Sequence, residues 1–287
     1  MSLAADTGGA GNSSWRLRLR FWGVRGSVPT PCRQNLGFGG NTTCVQVEIP
    51  RRKEVLIFDA GTGIRELGLS LARLQPGPLR IHLFLTHFHW DHVLGLPFFA
   101  PAYDQRNSLT IYSSSYSAPL KPSLAGVLGY PYFPQTLESD LGHVRLVQLD
   151  SRSVRVAGAK IQAFPVQHPQ GACGYRISVP GACVVYVPDR ECGDQALDGA
   201  IRKGARGADI LVHDAQYTRE EYPGKKGWGH STWEDAVQVA RDANVRRLVL
   251  FHHDPAHSDA TVRRILKQAR AAFPNTDAAA EGSAIDL

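Results

Sequence analysis

Three histidines and one aspartate lie within six residues in the stretch Thr86-His87-Phe88-His89-Trp90-Asp91-His92. A largely apolar run at residues 81–85 comes directly before this stretch and is short enough to be a buried strand. Imidazole nitrogens and carboxylate oxygens are ligands that Zn²⁺, Mn²⁺ and Fe²⁺ take in proteins. The stretch therefore predicts a metal-binding loop at the end of a buried strand. A solvated, histidine-rich loop is the alternative.

The composition is that of a globular protein with a full core. The chain has 287 residues, of which 43% are hydrophobic and 20% charged. We predict a single domain over residues 15–287 after a flexible tail over residues 1–14. The tail lacks the features of a secretory signal, and no apolar run approaches the length of a membrane span. The five cysteines form no C-x-x-C pair, which indicates free thiols in a reducing compartment, and the expected location is the cytoplasm.

The formal charge of the chain is +6 at pH 7. A basic balance is compatible with an anionic substrate such as a phosphodiester, and also with a merely solvated basic surface. The alternation at residues 16–21 predicts a strand with Leu17, Leu19 and Phe21 on one face and three arginines on the other. Those arginines are either a solvated strand face, which is favoured, or a nucleic-acid stripe.

Polar side chains with metal-ligand chemistry follow other predicted strands in the same way. The predicted strands at residues 54–58, 160–166, 182–187, 208–212 and 247–251 are followed by Asp59, His168, Asp189, His213-Asp214 and His252-His253, respectively. Because such residues gather at one edge of a sheet sandwich, the sequence predicts one shared site. Asp59 is either a turn former or a carboxylate that orients a metal-binding histidine, and the role of His253 is open.

Three further motifs lie away from the metal loop. They are R-F-W-G-V-R-G-S at residues 20–27, G-G-N-T-T-C at residues 39–44 and I-F-D-A-G-T-G-I-R-E-L-G at residues 57–68. Together with H-x-H-x-D-H, they resemble the metallo-β-lactamase superfamily of hydrolases, in the branch that holds ribonuclease Z-like proteins and cyclic phosphodiesterases. The resemblance implies an α/β fold of the αβ/βα type, a four-layer sandwich in which two mixed β-sheets are flanked by helices.

The resemblance also implies which residues hold metal. It assigns His87, His89 and His168 to one ion, Asp91, His92 and His252 to a second, and Asp189 to both. Seven ligands with one shared give each ion three or four protein donors and leave an open position, as a catalytic site requires. We therefore predict two divalent ions per chain, zinc foremost with manganese or iron as alternatives. A metal-bridging hydroxide is the expected nucleophile, and Asp91 is expected to orient it.

A second pair of residues is expected to handle protons. His230 precedes a predicted helix over residues 232–243, and Ser231 with Glu234 fits a capping box. In ribonuclease Z-like proteins, a histidine in this motif with an acidic partner helps to protonate the leaving group. Asp214 stands here where the family often has glutamate, so we predict that Asp214 orients His230 as a general acid. A structural histidine in a capping turn is the alternative.

Three classes of hydrolase are compatible with these residues. A phosphodiesterase for a small or cyclic phosphodiester is favoured, because the pair Asp214 and His230 suits it and no tRNA-gripping arm is visible. An RNA 3′-end nuclease of the ribonuclease Z type is the second class. A thioester, ester or lactone hydrolase has no evident use for His230 and is the third. A non-enzymatic metal-binding protein is disfavoured.

The expected partner is a small anionic phosphodiester. Nucleic acid is allowed but not required, a homodimer is left open, and no membrane is expected. Residues 98–142 form the segment whose structure the sequence predicts least. Its tyrosines either stack a nucleobase beside the metals or form the core of a lid or insert, and we expect the segment to set specificity.

Overall fold

The computed structural model of the protein describes residues 15–75, 77–134, 136, 143–150 and 153–287. The flexible tail predicted for residues 1–14 lies outside these ranges, and the single domain over residues 15–287 stays a prediction. None of the helices within the described ranges is both long enough and apolar enough to cross a membrane. The five cysteines, all within those ranges, are free thiols as predicted.

Two seven-stranded sheets form the centre of the fold. In chain order the strands are β1 (Arg18–Gly23), β2 (Cys44–Glu48), β3 (Glu54–Phe58), β4 (Arg80–Leu85), β5 (Ser108–Ser114), β6 (Arg145–Leu149), β7 (Ser153–Val156), β8 (Ala159–Val166), β9 (Ala172–Val179), β10 (Ala182–Val187), β11 (Ile210–Asp214), β12 (Arg247–Phe251), β13 (Thr276–Ala278) and β14 (Ala284–Asp286). The first sheet has the order β14-β1-β2-β3-β4-β5-β6 and the second the order β13-β12-β11-β10-β9-β8-β7.

Both sheets are mixed, as predicted. In the first sheet β3 to β6 pair in parallel, and in the second β10 to β13 do so. The other neighbouring strands pair antiparallel. Parallel neighbours end at the same edge of a sheet, so the residues that follow β3 and β4 meet on one sheet and those that follow β10, β11 and β12 meet on the other.

Helices cover the outer face of each sheet. The α-helices within the described residues are α1 (Gly63–Leu74), α2 (Trp90–Val93), α3 (Leu120–Val127), α4 (Gln195–Ala205), α5 (Trp233–Asp242) and α6 (Asp259–Ala272). The buried residues Ile64, Leu67 and Leu71 recur at helical spacing in α1 and pack on the first sheet. Ile201 of α4 and Ile265 of α6 pack on the second sheet. The resulting order, helix-sheet-sheet-helix, confirms the predicted four-layer sandwich.

The core between the two sheets is built around aromatic side chains. Phe84 stacks on Phe58 and Tyr112 of the neighbouring strands, with ring centroids 5.2 and 4.4 Å apart. Tyr175 and Tyr186 of the second sheet meet Phe58 edge-on at 5.6 and 5.9 Å. Each such pair contributes about 0.5–1.5 kcal/mol beyond its buried area. This packing holds β3 and β4 against β9 and β10, directly below the loops that follow them.

The arginines of β1 are paired with acidic residues of the neighbouring strands. The side chain of Arg18 lies 2.6 Å from Asp286 of β14, and that of Arg20 lies 3.0 Å from Glu48 of β2. Surface pairs of this kind contribute about 0–1 kcal/mol each. They support the solvated strand face over the nucleic-acid stripe.

Two local predictions were wrong. The capping box of α5 consists of Thr232 and Asp235 rather than Ser231 and Glu234. The reason is that Ser231 Oγ is buried and donates to Arg190 O at 2.6 Å, so its hydroxyl is not available to the helix. In the segment 98–142, which was interpreted as irregular, β5 and α3 form regular elements.

Candidate metal centre

Loops that follow β4, β8, β10 and β12 bring all seven predicted metal ligands together at one edge of the sandwich. One group contains His87, His89, His168 and Asp189, and a second contains Asp91, His92, Asp189 and His252. Within each group, one ligand atom from every residue lies within 4.8 Å of the others. We call these the first and second ligand groups. Asp189 belongs to both.

Asp189 presents one carboxylate oxygen to each ligand group. Its Oδ1 lies 3.0 Å from Nε2 of His92 and 3.2 Å from Nε2 of His252. Its Oδ2 lies 3.7 Å from Nε2 of His87 and 3.8 Å from Nε2 of His168. The carboxylate is 1% exposed. This is the arrangement that a ligand shared between two metal ions needs.

Each histidine of the two groups is held through one ring nitrogen by an oxygen outside the group. These oxygens are Thr86 Oγ1 for His87 at 3.1 Å, Gln170 Oε1 for His89 at 3.2 Å, Asp59 Oδ2 for His92 at 3.0 Å, Gly229 O for His168 at 2.8 Å and Gln216 Oε1 for His252 at 2.8 Å. Because the outer nitrogen donates its proton to an oxygen, the inner nitrogen keeps a lone pair that faces the group.

The inner atoms have the chemistry of a metal site. His89 Nδ1 and His168 Nε2 face each other at 3.0 Å. His87 Nε2, His92 Nε2 and Asp189 Oδ1 are buried and make no hydrogen bond. A buried polar atom without a partner costs about 1–3 kcal/mol, so several of them at one point need a common explanation. Imidazole nitrogens with carboxylate oxygens suit divalent transition metals, and the cluster can therefore bind metal ions.

Two turns at the site have a left-handed backbone. Asp59 and His252 directly follow β3 and β12, and each has φ of 60°. Such a conformation costs about 1–3 kcal/mol in a non-glycine residue and persists where other contacts impose it. Asp59 accepts hydrogen bonds from Thr86 N at 2.8 Å and Tyr186 Oη at 3.0 Å. These contacts direct its carboxylate to His92, which favours an orienting role over that of a simple turn former.

Asp91 presents its carboxylate to the second ligand group. Its Oδ2 accepts a hydrogen bond from Ser27 N at 2.8 Å and lies 3.0 Å from His252 Nε2. Burial raises the pKa of this carboxyl, but the neighbouring His92 and His252 outweigh burial and hold it well below its usual value. Asp91 is therefore ionised at neutral pH.

His230 lies beside the second ligand group and is bound to Asp214. Its Nδ1 donates to Asp214 Oδ2 at 3.0 Å, and its ring stacks on His252 with centroids 4.9 Å apart. The carboxylate of Asp214 is fixed by hydrogen bonds from Arg190 N and Gln216 N, each at 3.0 Å. Burial lowers the pKa of His230, but the charge and hydrogen bond of Asp214 outweigh it and raise the pKa to about 9. His230 is therefore protonated at neutral pH and able to donate.

Glu191, which the sequence did not single out, organises the loop before His230. Its Oε1 accepts from Tyr222 Oη and Gly227 N, both at 2.7 Å, and its Oε2 accepts from Gly229 N at 3.0 Å. The loop comes close to the first ligand group, because a Cβ at position 229 would lie 2.4 Å from His168 Nδ1. In the sequence, this close approach was indicated only by the two glycines of Gly-Trp-Gly-His at residues 227–230.

Replacing Glu191 by glutamine is expected to lower metal affinity by about 10–100-fold, the range typical of groups that orient metal ligands. The new amide would set an N–H group against the backbone N–H groups of the loop, and Gly229 O would no longer hold His168. Equilibrium dialysis against a competing chelator measures the affinity. Glu220→Gln, an exposed change nearby, is the matched control. Equal affinities in the Glu191 variant and the unmodified protein would contradict this role.

His253 lies outside both ligand groups. Its Nε2 donates to Ala279 O at 2.9 Å, and its ring meets Phe38 edge-on at 5.6 Å. Burial lowers the pKa of His253 to about 3. Its role is therefore to join the loop after β12 to the segment after β13, not to orient a metal ligand.

This buried histidine makes stability depend on pH. The ordinary pKa is 6.5 and the folded value about 3, so below pH 6.5 the unfolded chain binds a proton that the folded chain does not. The contribution of His253 is complete above pH 6.5 and is lost as the pH falls towards 3. His253→Gln keeps an N–H donor and does not titrate. The free energy of unfolding is measured by denaturant titration with chelator present. Between pH 6.5 and about pH 4, it should fall less in this variant than in the unmodified protein. Identical pH slopes would contradict the assignment.

A cavity of about 520 Å³ opens beside the two ligand groups. It is lined by Ser27, Phe88, His89, Trp90, Asp91, Gln170, Asp189, Trp228 and His230. None of the described residues between 98 and 142 lines it, and the expectation that this segment sets specificity stays a prediction. Tyr112 of that segment is buried in the core between the sheets, where β5 places it.

The chain matches a family model described as "Beta-lactamase superfamily domain" over residues 54–253. It is also similar to a ribonuclease Z of Synechococcus sp. (strain WH7803), with 27% identity over 326 residues that cover 94% of this chain and 96% of the relative. That alignment is longer than the chain itself, so the relative carries residues that this chain lacks.

Two solved structures have the same fold. The metallo-beta-lactamase fold protein YhfI from Bacillus subtilis has a TM-score of 0.72 and 17% identity, with 94% of this chain and 99% of that chain covered. A diphosphatase from the PhnP family has a TM-score of 0.69 and 19% identity, with 95% of this chain and 98% of that chain covered. At these identities the likeness shows the fold alone.

Proposed function

The chain belongs to the metallo-β-lactamase superfamily as a ribonuclease Z-like member and is a metal-dependent hydrolase, and we propose that it hydrolyses a small or cyclic phosphodiester. The observation that carries the proposal is the hydrogen-bonded pair of His230 and Asp214 next to the two ligand groups. His230 Nδ1 lies 3.7 Å from Oδ2 of Asp189. The His230 ring is thus adjacent to the carboxylate that both ligand groups share, and Nε2, the ring nitrogen that Asp214 does not bind, is the one available to donate a proton.

The chemistry of the leaving group makes this pair informative. Hydrolysis of an alkyl phosphodiester expels an alkoxide, a strong base that leaves readily only when it is protonated. A positioned general acid contributes about 10²–10⁴-fold to such a step. A thioester expels a thiolate, whose conjugate acid has a pKa of about 8.5 and needs no such help. His230, protonated at neutral pH, therefore supports a phosphodiester over a thioester.

We propose that the first ligand group holds one divalent ion and the second another, with Asp189 bound to both. Zinc is the first choice, and manganese or iron are the alternatives. Ions held there would activate water at neutral pH and offset the charge of a phosphate. Asp91, ionised and fixed by Ser27 N, would accept a hydrogen bond from the attacking water and orient it. His230, fixed by Asp214, gives its proton to the leaving oxygen.

A second candidate function is processing of RNA 3′ ends. The similarity to a ribonuclease Z over 94% of the chain supports it, and a charge of +6 suits a polyanion. A small substrate is favoured because the relative carries residues that this chain lacks and because the cavity of about 520 Å³ has the size of a small-molecule site. A thioester or lactone hydrolase is third.

Hydrolysis of bis(p-nitrophenyl) phosphate, with a thioester in the same buffer, tests the proposal. We expect turnover of the diester that a chelator abolishes and added Zn²⁺ or Mn²⁺ restores. Turnover of the thioester alone would overturn the proposal and the role of His230 with it. To separate the two phosphodiester candidates, binding of single-stranded RNA is measured against salt. A log-log slope near −0.7 for each phosphate contacted, over several phosphates, would favour the nuclease.

A further inference from the structure

Two exposed tryptophans flank the ligand groups. Trp90 is 75% exposed and Trp228 is 59% exposed. Both line the cavity that also contains Asp91, Asp189 and His230. Trp90 directly precedes Asp91, and Trp228 stands two residues before His230. Large aromatic side chains left in water beside a cavity mark a binding surface rather than a part of the core.

Trp228 makes a side-chain contact, and the backbone of its loop is anchored at two points. Lys225 Nζ lies 4.1 Å from the centre of this ring, which is a cation–π contact. The loop that carries both residues is tied to Glu191 and, at its start, to His257 through Glu221, whose Oε1 lies 2.8 Å from His257 Nε2. Because the loop is anchored, ordering Trp228 against a ligand costs less conformational freedom than it would on an unanchored loop.

We propose that Trp90 and Trp228 form an aromatic clamp for the nucleobase of a nucleotide substrate. This inference rests on the proposed phosphodiesterase function and names its substrate class, a phosphodiester that contains a nucleoside. The phosphate reaches the ligand groups, and the planar base stacks on the indole rings at the side of the same cavity. Every nucleobase has a π-face, so the clamp selects for a base without selecting among bases.

Charge around the clamp suits the same ligand. Lys225 and Lys226 lie in the loop beside Trp228, and the whole chain carries a formal charge of +6. A nucleotide offers an anionic phosphate and a planar ring in one molecule. A dialkyl or sugar-only phosphodiester offers the phosphate alone and leaves both indole rings in water.

The test compares adenosine 5′-monophosphate with ribose 5-phosphate as ligands of the metal-loaded protein. The two share sugar and phosphate and differ by the base. Inhibition constants are measured against bis(p-nitrophenyl) phosphate hydrolysis, and binding is followed independently by quenching of tryptophan fluorescence. We expect the nucleotide to bind at least about tenfold more tightly, because stacking of one base on an aromatic side chain contributes roughly that factor.

Trp90→Ala and Trp228→Ala should each reduce the preference for the nucleotide by about tenfold and weaken the quenching. Phe98→Ala is the matched control, since Phe98 is an exposed aromatic residue that does not line the cavity. Equal binding of the two ligands to the unmodified protein would overturn the clamp, as would a preference that survives both tryptophan replacements. Absence of diester hydrolysis would overturn the proposed function instead, and the fluorescence titration would still decide on the clamp.

Discussion

Replacing Asp189 by asparagine is expected to lower kcat/KM for a phosphodiester by about 10³-fold or more. The change removes the charge of the carboxylate that both ligand groups share. Its two oxygens lie 3.0–3.8 Å from four histidines of these groups. Stabilisation by bound metal ions amounts to several kcal/mol, and each 1.4 kcal/mol corresponds to about tenfold in rate. Steady-state kinetics in excess Zn²⁺ measure the loss.

Metal binding provides a second readout for the same variant. Ions that bind the folded chain but not the unfolded chain stabilise the fold by about 2.7 kcal/mol at a concentration 100 times Kd. Zn²⁺ should therefore raise the Tm of the unmodified protein. In Asp189→Asn this rise should be mostly lost, while the Tm with chelator present changes much less. Asp104→Asn, in an exposed loop, is the control and should keep both activity and metal-induced stabilisation. Full activity of Asp189→Asn would rule out a shared ligand.

Replacing His230 by alanine is expected to lower kcat by about 10²–10⁴-fold for a diester with an alkyl leaving group, the range typical of general acids. The loss should be much smaller for a p-nitrophenyl leaving group, because that group departs without prior protonation. The comparison therefore separates a proton donor from a residue that only supports the fold. Rates for both leaving groups are measured with the same variant at the same pH.

Asp214→Asn tests how His230 is held. It removes the charge that keeps His230 protonated and should show the same dependence on leaving group with a smaller loss. Replacement of both residues should cost little more than loss of His230 alone, since the two act as one unit. A loss from His230→Ala that is equal for both leaving groups would show that His230 has a structural role.

The clustering of the seven candidate metal ligands could be predicted because its signal is local. H-x-H-x-D-H supplies four of them in one loop, and His168, Asp189 and His252 each stand within two residues of the end of a predicted strand. Polar residues at such positions are unusual for buried strands, and strands that run in the same direction end at the same edge of their sheet. The fold was implied by the resemblance that H-x-H-x-D-H and the motifs between residues 20 and 68 carry, and the two observed sheets confirm it.

Apart from Asp59, the residues that hold these ligands could not be predicted in the same way. Gln170, Gln216 and Gly229 each bind the outer nitrogen of a different histidine, but they lie on separate loops with no common spacing. Their role exists only once the two sheets have packed. Glu191 is a similar case, since its three partners are contributed by a loop more than 30 residues further along the chain. The segment 98–142 was interpreted poorly for another reason. β5 alternates only over its first four residues, and its last four residues are all buried.

The most direct test of two metal sites that share Asp189 is a titration of Zn²⁺ into metal-free protein. Metal content and diester hydrolysis are both measured at each step of the titration. We expect binding to saturate at two ions per chain and hydrolysis to depend on the ions bound. Saturation at one ion, or hydrolysis of equal rate in the metal-free protein, would contradict the account.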